Sequence, residues 1–203
     1  MRRIISATRI ITVDGYIEDP EGRKDWVESW EDEYDLLDRV DDLAVLGSGI
    51  YSTYEQYWTA ALNPKGKLPF SGKEPTPGEV AYANWAARTP HIVVSRKPLN
   101  VNWKNTRGVS DLEEVRELKQ KKTGKDIIYA VGGAILVSAL INHGLVDEIR
   151  LMVSPVLLGG GKALFKDVTE RKHLKLVSAE QRDHGKEVYY SIYNVQSEGR
   201  EGR

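Results

Sequence analysis

A chain of 203 residues and 22.9 kDa, with 40% apolar and 29% charged residues, has globular composition and enough length for one domain with a sizeable core. Its 29 basic and 30 acidic residues leave a net charge of -1, which argues against a nucleic-acid binder that works by neutralising phosphates and against a polybasic membrane anchor. The absence of cysteine excludes disulfides, thiolate zinc sites and a cysteine nucleophile. Arg2 and Arg3 open the chain, but Thr8, Arg9, Thr12 and Asp14 break the apolar run behind them, so no signal-peptide pattern follows. No stretch approaches the ~20 apolar residues of a membrane span. The expectation is a soluble cytoplasmic protein.

Residues 3–13 are rich in Ile, Val and Thr and predict a strand, stopped by Asp14-Gly15. Trp30, Tyr34, Leu37 and Val40 at helical spacing predict a helix over 28–40. Residues 42–46 predict a short strand ending at Gly47-Ser48-Gly49, followed by an aromatic helix over 50–58. Residues 62–79 hold four of the eight prolines and predict a long loop. A short helix over 80–88 and a buried strand over 91–95 follow. Ser110-Asp111-Leu112-Glu113 has the spacing of a capping box, opening a helix that runs to about Lys122. The strand 126–131 breaks at Gly132-Gly133, and an apolar helix then runs from Ala134 to Asn142. A strand over 146–153 and a hairpin of 174–181 with 187–195 complete the elements, and 196–203 reads as a disordered tail. Strands that alternate with helices and end in a hairpin mean α/β with a mixed, mostly parallel sheet. No linker splits the chain, so 1–195 is expected to be one domain.

The chemistry is sought at strand ends. Gly132-Gly133 lets the backbone approach a ligand closely, and the helix behind it offers free N–H groups to a phosphate. Gly47 and Ser48 repeat that arrangement, and two such ends suit the two halves of a dinucleotide. Ser95 and Arg96 close a third strand, where an arginine can grip an extra phosphate. Asp14 ends the first strand, where its carboxylate can orient a polar heterocycle. Each pattern has a plain alternative in an ordinary turn. The aromatic stripe Tyr51, Tyr54 and Trp58 reads as core rather than as a stacking site. The four histidines show no metal-ligand spacing, no Ser–His–Asp arrangement is visible, and no metal is expected.

Val131-Gly132-Gly133-Ala134-Ile135-Leu136, Gly144 to Ile149, Pro155 to Gly161 and Leu164-Phe165 together resemble the C-terminal half of the dihydrofolate reductase-like family. The resemblance is nearest to the bacterial riboflavin-biosynthesis reductase domain and its stand-alone relatives. Thr12-Val13-Asp14-Gly15 resembles that family's Ser-x-Asp-Gly strand end. The resemblance implies an NADPH-dependent reductase of a pteridine- or pyrimidine-like heterocycle, such as the aminouracil ribose-phosphate intermediate of riboflavin synthesis, working as a homodimer. It implies that Gly132, Gly133, Ala134, Ile135 and Leu136 hold the pyrophosphate, with Gly47 and Ser48 against the cofactor. It places Ser95 and Arg96 at the 2′-phosphate. It places Thr12, Asp14 and Tyr16 on the substrate side, with Asp14 as the catalytic candidate. Where the family carries Gly-Arg-x-Thr, this chain has Gly47-Ser48-Gly49-Ile50; where it often carries Lys after Asp-Gly, this chain has Tyr16. Two other readings stay open: a reductase of another small carbonyl or imine compound, and a binding or regulatory protein that keeps the fold without catalysis.

Overall fold

The computed structural model describes residues 1–27, 43–121, 126–183 and 187–196. In chain order the elements are β1 (Arg3–Thr12), β2 (Tyr16–Glu18), β3 (Ala44–Gly47), α1 (Ser48–Ala61), α2 (Pro77–Arg88), β4 (His91–Val94), β5 (Thr106–Val109), α3 (Glu113–Gln120), β6 (Ile127–Gly132), α4 (Ala134–Asn142), β7 (Glu148–Ser154), β8 (Lys162–Ala163), β9 (Leu174–Asp183) and β10 (Glu187–Val195). The fold is α/β. Its strands are mixed and mostly parallel, with antiparallel strands at the C-terminus. Contacts divide the chain into two compact units, Met1–Arg2 with Val27–Gly133, and Arg3–Trp26 with Ala134–Arg203.

In the first unit β5, β4, β3 and β6 lie side by side and run parallel. Ala44, Val45 and Leu46 of β3 are buried, as are Ile128, Tyr129 and Ala130 of β6, because a strand covered on both faces reads as an uninterrupted apolar run. On α1, Tyr51, Tyr54, Trp58 and Ala61 recur at spacings of three and four and are buried. They belong to a core that also holds Tyr82 and Trp85 of α2, His91 of β4, and Trp103. Trp58 stacks on Tyr82 with ring centroids 4.1 Å apart, and His91 meets Trp103 edge-on at 5.3 Å. Such pairs contribute about 0.5–1.5 kcal/mol each beyond their burial. The stripe is core, as the sequence suggests.

His91 is fully buried there. Its Nδ1 lies 2.7 Å from the Thr89 carbonyl, which can only accept, so Nδ1 carries the proton and Nε2 faces the Tyr54 hydroxyl at 3.3 Å. Burial pushes its pKa down to about 4. On the opposite flank of α1, Glu55 ties down the segment before β5. It accepts hydrogen bonds from the Tyr51 hydroxyl, from Asn102 N at 3.1 Å and Nδ2 at 2.7 Å, and from Trp103 N at 3.0 Å. Burial raises its pKa, but these donors outweigh that and hold the carboxyl below its usual range.

In the second unit β1 pairs parallel with β7, β7 antiparallel with β10, and β10 antiparallel with β9. The apolar α4 buries Leu136, Val137, Leu140 and Ile141. It ends in a Schellman motif: Gly144 N donates to Ile141 O at 3.0 Å and Leu145 N to Leu140 O at 2.9 Å, with Gly144 at φ 64°.

Several expectations are corrected. The capping box lies not at Ser110–Glu113 but at Thr76–Glu79. Thr76 Oγ1 accepts from Glu79 N at 3.1 Å and Glu79 Oε2 from Thr76 N at 2.9 Å, so α2 begins inside the segment read as loop. At α3 the side-chain acceptor is Asp111, whose Oδ1 takes Glu113 N at 2.9 Å. The short strands β2, β5 and β8 are additional to those read from sequence. The helix expected over 28–40 lies outside the described residues.

Candidate active site

In the first unit the chain leaves β3 for β4 and β5 on one side, then returns to β6 on the other. The strand order therefore reverses between β3 and β6, and in open parallel sheets ligands bind outside the carboxyl ends of strands at such a point. Both carboxyl ends are glycines that open helices. Leu46 pairs with Gly132, and an irregularity in the β3–β6 register separates this pair from Val45–Ala130. Gly132 and Gly133 hold φ of 131° and 93°, which L side chains rarely adopt. A Cβ on Gly133 would sit 3.7 Å from Ile50 Cγ2 and 4.0 Å from the Gly47 Cα. The two turns thus approach each other closely enough to form one cradle. Gly47, the N-cap of α1, supplies no side-chain hydrogen bond, and neither α1 nor α4 carries an acidic residue in its first turn. The early N–H groups of α1, from Ser48 onward, have no carboxylate of that turn as a partner, and the dipole there favours an anion.

The other members of the expected cofactor set are placed as follows. Ser95 N donates to Val109 O at 2.9 Å, at the carboxyl end of the same four-stranded array. Its hydroxyl belongs to its own turn, bonding Lys97 O at 2.7 Å and accepting from Lys97 N at 3.3 Å. Arg96 is exposed. Ala134 and Leu136 are buried in the first turn of α4, whereas Ile135 is 70% exposed.

The second unit carries Thr12, Asp14 and Tyr16. Gly15 turns the chain at φ 88°, with Gly15 N donating to Thr12 O at 2.9 Å. Buried Thr12 donates its hydroxyl to Asp14 Oδ1 at 2.6 Å and accepts from Tyr16 N at 3.0 Å. Asp14 Oδ2 accepts from Leu158 N at 3.0 Å and Gly159 N at 2.8 Å. The Thr12 hydroxyl and the Gly159 amide hold this exposed carboxyl below its usual range, so it stays ionised near neutral pH. The same segment is fastened at further points. Val13 N donates to Val156 O at 3.1 Å and Leu164 N to Gly15 O at 3.1 Å, while β2 pairs with β8. Gly161 sits at φ 125°, where a Cβ would fall 2.0 Å from Glu18 O. The glycine run 159–161 is plain in the sequence, but its tie to Asp14 is not. The partners lie 144 and 145 residues apart, and no local pattern signals the bond. Among the described residues no group of His, Asp and Glu is placed to hold a metal ion, and no described helix is long and apolar enough to cross a membrane.

A family model described as the RibD C-terminal domain matches residues 3–187. The chain belongs to the RibD C-terminal domain family. One relative is the uncharacterized protein YyaP of Bacillus subtilis, 35% identical over 179 residues and covering 87% of each chain. Another is the 2,5-diamino-6-ribosylamino-4(3H)-pyrimidinone 5′-phosphate reductase of Archaeoglobus fulgidus, 27% identical over 188 residues, covering 79% of this chain and 84% of that one. Among solved structures, a putative riboflavin biosynthesis protein of Shewanella is similar with a TM-score of 0.64 and 20% identity, covering 97% of this chain and 100% of that one. The dihydrofolate reductase of Enterococcus faecalis, complexed with NADP(H), is similar with a TM-score of 0.60 and 13% identity, covering 96% and 97%. These two structures carry the fold assignment.

Proposed function

We propose that the protein is an NADPH-dependent reductase of a pteridine- or pyrimidine-like heterocycle. The observation that carries this reading is the Gly47–Gly133 cradle at the strand-order reversal. The fit to a dinucleotide diphosphate rests on three features of this chain. Both turn glycines of β6 have positive φ, a Cβ on Gly133 would project toward Gly47, and the helix start at Ser48 has no acidic residue to compete with an anion. Gly47, Ser48, Gly132 and Gly133 of the first unit would hold the diphosphate. Arg96, next to Ser95, would face the 2′-phosphate, where a planar guanidinium suits a dianion. When bound, such a cofactor would supply the hydride, and a proton from water would complete the two-electron reduction of a C=N or C=O bond.

Thr12, Asp14 and Tyr16 belong to the acceptor side of this reading. Asp14 is held ionised, so it acts by holding position and charge rather than by giving up a proton. Family membership, the Archaeoglobus reductase and the dihydrofolate reductase-like fold support a reductase. A cytoplasmic homodimer is part of the same reading, and light scattering in solution tests the dimer.

Ile50 favours a second reading. Its side chain, 3.7 Å from where a Gly133 Cβ would be, stands where the family pattern carries a threonine, so the cradle has one hydroxyl fewer for phosphate. A protein that binds a ligand here without catalysis would tolerate that loss. The deciding experiment titrates NADPH against intrinsic tryptophan fluorescence, then screens oxidised heterocycles for NADPH consumption at 340 nm. Saturable binding with turnover of a heterocycle supports the reductase. Binding without turnover of any heterocycle supports the second reading, and no binding at millimolar NADPH removes the nucleotide from both.

A further inference from the structure

In the antiparallel array β7–β10–β9 of the second unit, polarity and burial are inverted. Partners across a ladder share a face, so the register sorts the side chains. On one face Glu148 stands opposite Asn194, Asn194 opposite Lys175, and Arg150 opposite Ile192. Side-chain bonds agree with that grouping. Arg3 Nη2 donates to Glu148 Oε2 at 2.8 Å and to Asn194 Oδ1 at 3.3 Å, and Arg150 Nε donates to Glu148 Oε1. On the other face Ile149 stands opposite Tyr193, Tyr193 opposite Leu176, and Val195 opposite Leu174. Leu151 and Val153 alternate onto that same face. An antiparallel sheet ordinarily turns its apolar face to the core and its polar face to water. Here the charged face is the covered one, with Glu148 and Arg150 only 5% and 7% exposed. On the apolar face Ile149 is buried, but Leu151, Val153, Tyr193 and Val195 are half-buried. Leu174 and Leu176, on the outer strand, are 44% and 53% exposed. These residues are neighbours across three adjacent strands, so they form a contiguous patch rather than scattered single side chains.

We infer that the apolar face of β7–β10–β9 is the surface on which two copies of this chain pack, related by a two-fold axis. The homodimer belongs to the reading above and the inference rests on that part of it, not on the cofactor or the substrate. Charge selects the occupant. Among the described side chains that the register places on this face, none is charged. Its complement must be equally free of charge, and a two-fold contact supplies one by setting the face against its own copy. Homodimer interfaces are more apolar than the remaining surface, and tyrosine is enriched in them. The backbone selects the mode of packing. The β9 register breaks between Leu176 and Ser178, leaving Val177 unpaired. Such a bulge twists an edge away from continuous strand addition, so the copy lies across the face rather than along the β9 edge.

The test is sedimentation equilibrium on the full chain, in wild type and three variants. Leu174→Lys and Leu176→Lys put a charge on the apolar face. Ser178→Lys puts the same charge at the next paired position of β9, on the opposite face. All three positions are exposed, and the unfolding midpoint of each variant at high dilution checks that it folds. Wild type is expected to be a dimer at micromolar concentration. Leu174→Lys and Leu176→Lys are expected to raise the dissociation constant at least a hundredfold, and Ser178→Lys to leave it as in wild type. As an independent readout, the methyl resonances of Leu151, Leu174 and Leu176 should shift as wild type dissociates on dilution, while that of Met152, buried on the charged face, stays in place. A dimer that ignores both leucine variants, or leucine methyls that do not move on dissociation, overturns the face and leaves the homodimer of the reductase reading standing. A dimer weakened equally by Ser178→Lys means pairing along the edge and overturns the face as well. A wild type that stays monomeric at hundreds of micromolar overturns both the face and the homodimer.

Discussion

The β3 and β6 ends of the first unit and the Asp14 turn of the second are both glycine-rich strand ends, but they use their backbone amides in opposite ways. At Gly47-Ser48 the helix begins without a side-chain cap and without an acidic residue in its first turn. At Leu158-Gly159 the amides already point at a carboxylate of the chain itself, supplied by Asp14. One end leaves its donors without a side-chain cap, and the other carries its own carboxylate. A run of glycines therefore does not announce a ligand site by itself. What decides is whether a side chain elsewhere has claimed the donors.

The sharpest way to break the contrast is to add a methyl group to the self-satisfied end. Gly161→Ala must place a Cβ against Glu18 O at a φ that alanine resists, so it is expected to destabilise the protein by about 3 kcal/mol in denaturant unfolding. A loss below about 1 kcal/mol would mean that the β2–β8 junction yields easily. The core behind the open end is probed by pH. The buried neutral His91 titrates near pH 4 in the folded chain and near 6.5 in the unfolded one. Between those values the unfolded state binds the extra proton, so His91 makes stability fall as pH drops from 6.5 toward 4, by up to about 1.4 kcal/mol per pH unit. His91→Gln should flatten that part of the stability curve, and an unchanged slope would place the titration elsewhere.

At the open end, Gly133→Val should weaken NADPH binding at least tenfold, about 1.4 kcal/mol, because a branched side chain at φ 93° fills the cradle against Ile50. A folded variant with wild-type affinity would remove the cradle from the site. The smallest effect is expected from Arg96→Ala, which should leave NADH binding unchanged and cost NADPH a few-fold in affinity. An unaltered NADPH-to-NADH ratio would release Arg96 from the 2′-phosphate role.

Local physics was readable in the sequence wherever one element was enough. The apolar run from Ala134 to Asn142 forecast α4, and the Tyr51, Tyr54 and Trp58 spacing forecast a core face. Strands of two to four residues, such as β2, β5 and β8, carry too few positions for a period to show. The capping box at Thr76 was hidden because prolines on both sides read as loop, although Pro77 at the first helical position is itself a helix-start signal. At the candidate site the glycine doublet was legible, since backbone freedom is a property of residue type. The contact of Ile50 with the Gly133 turn and the engagement of Asp14 with Leu158 and Gly159 were not, since both depend on chain segments brought together by the fold.

The central claim is that the Gly47 and Gly133 turns hold a dinucleotide diphosphate. It is tested most directly by following backbone amide resonances during an NADPH titration. The account predicts saturable shifts at Ser48, Gly49 and Gly133 that a Gly133→Val variant loses, with Leu158 and Gly159 keeping the protection that Asp14 gives them. Unmoved Ser48, Gly49 and Gly133 resonances at saturating NADPH, or binding that leaves them unmoved while shifting other residues, would contradict it.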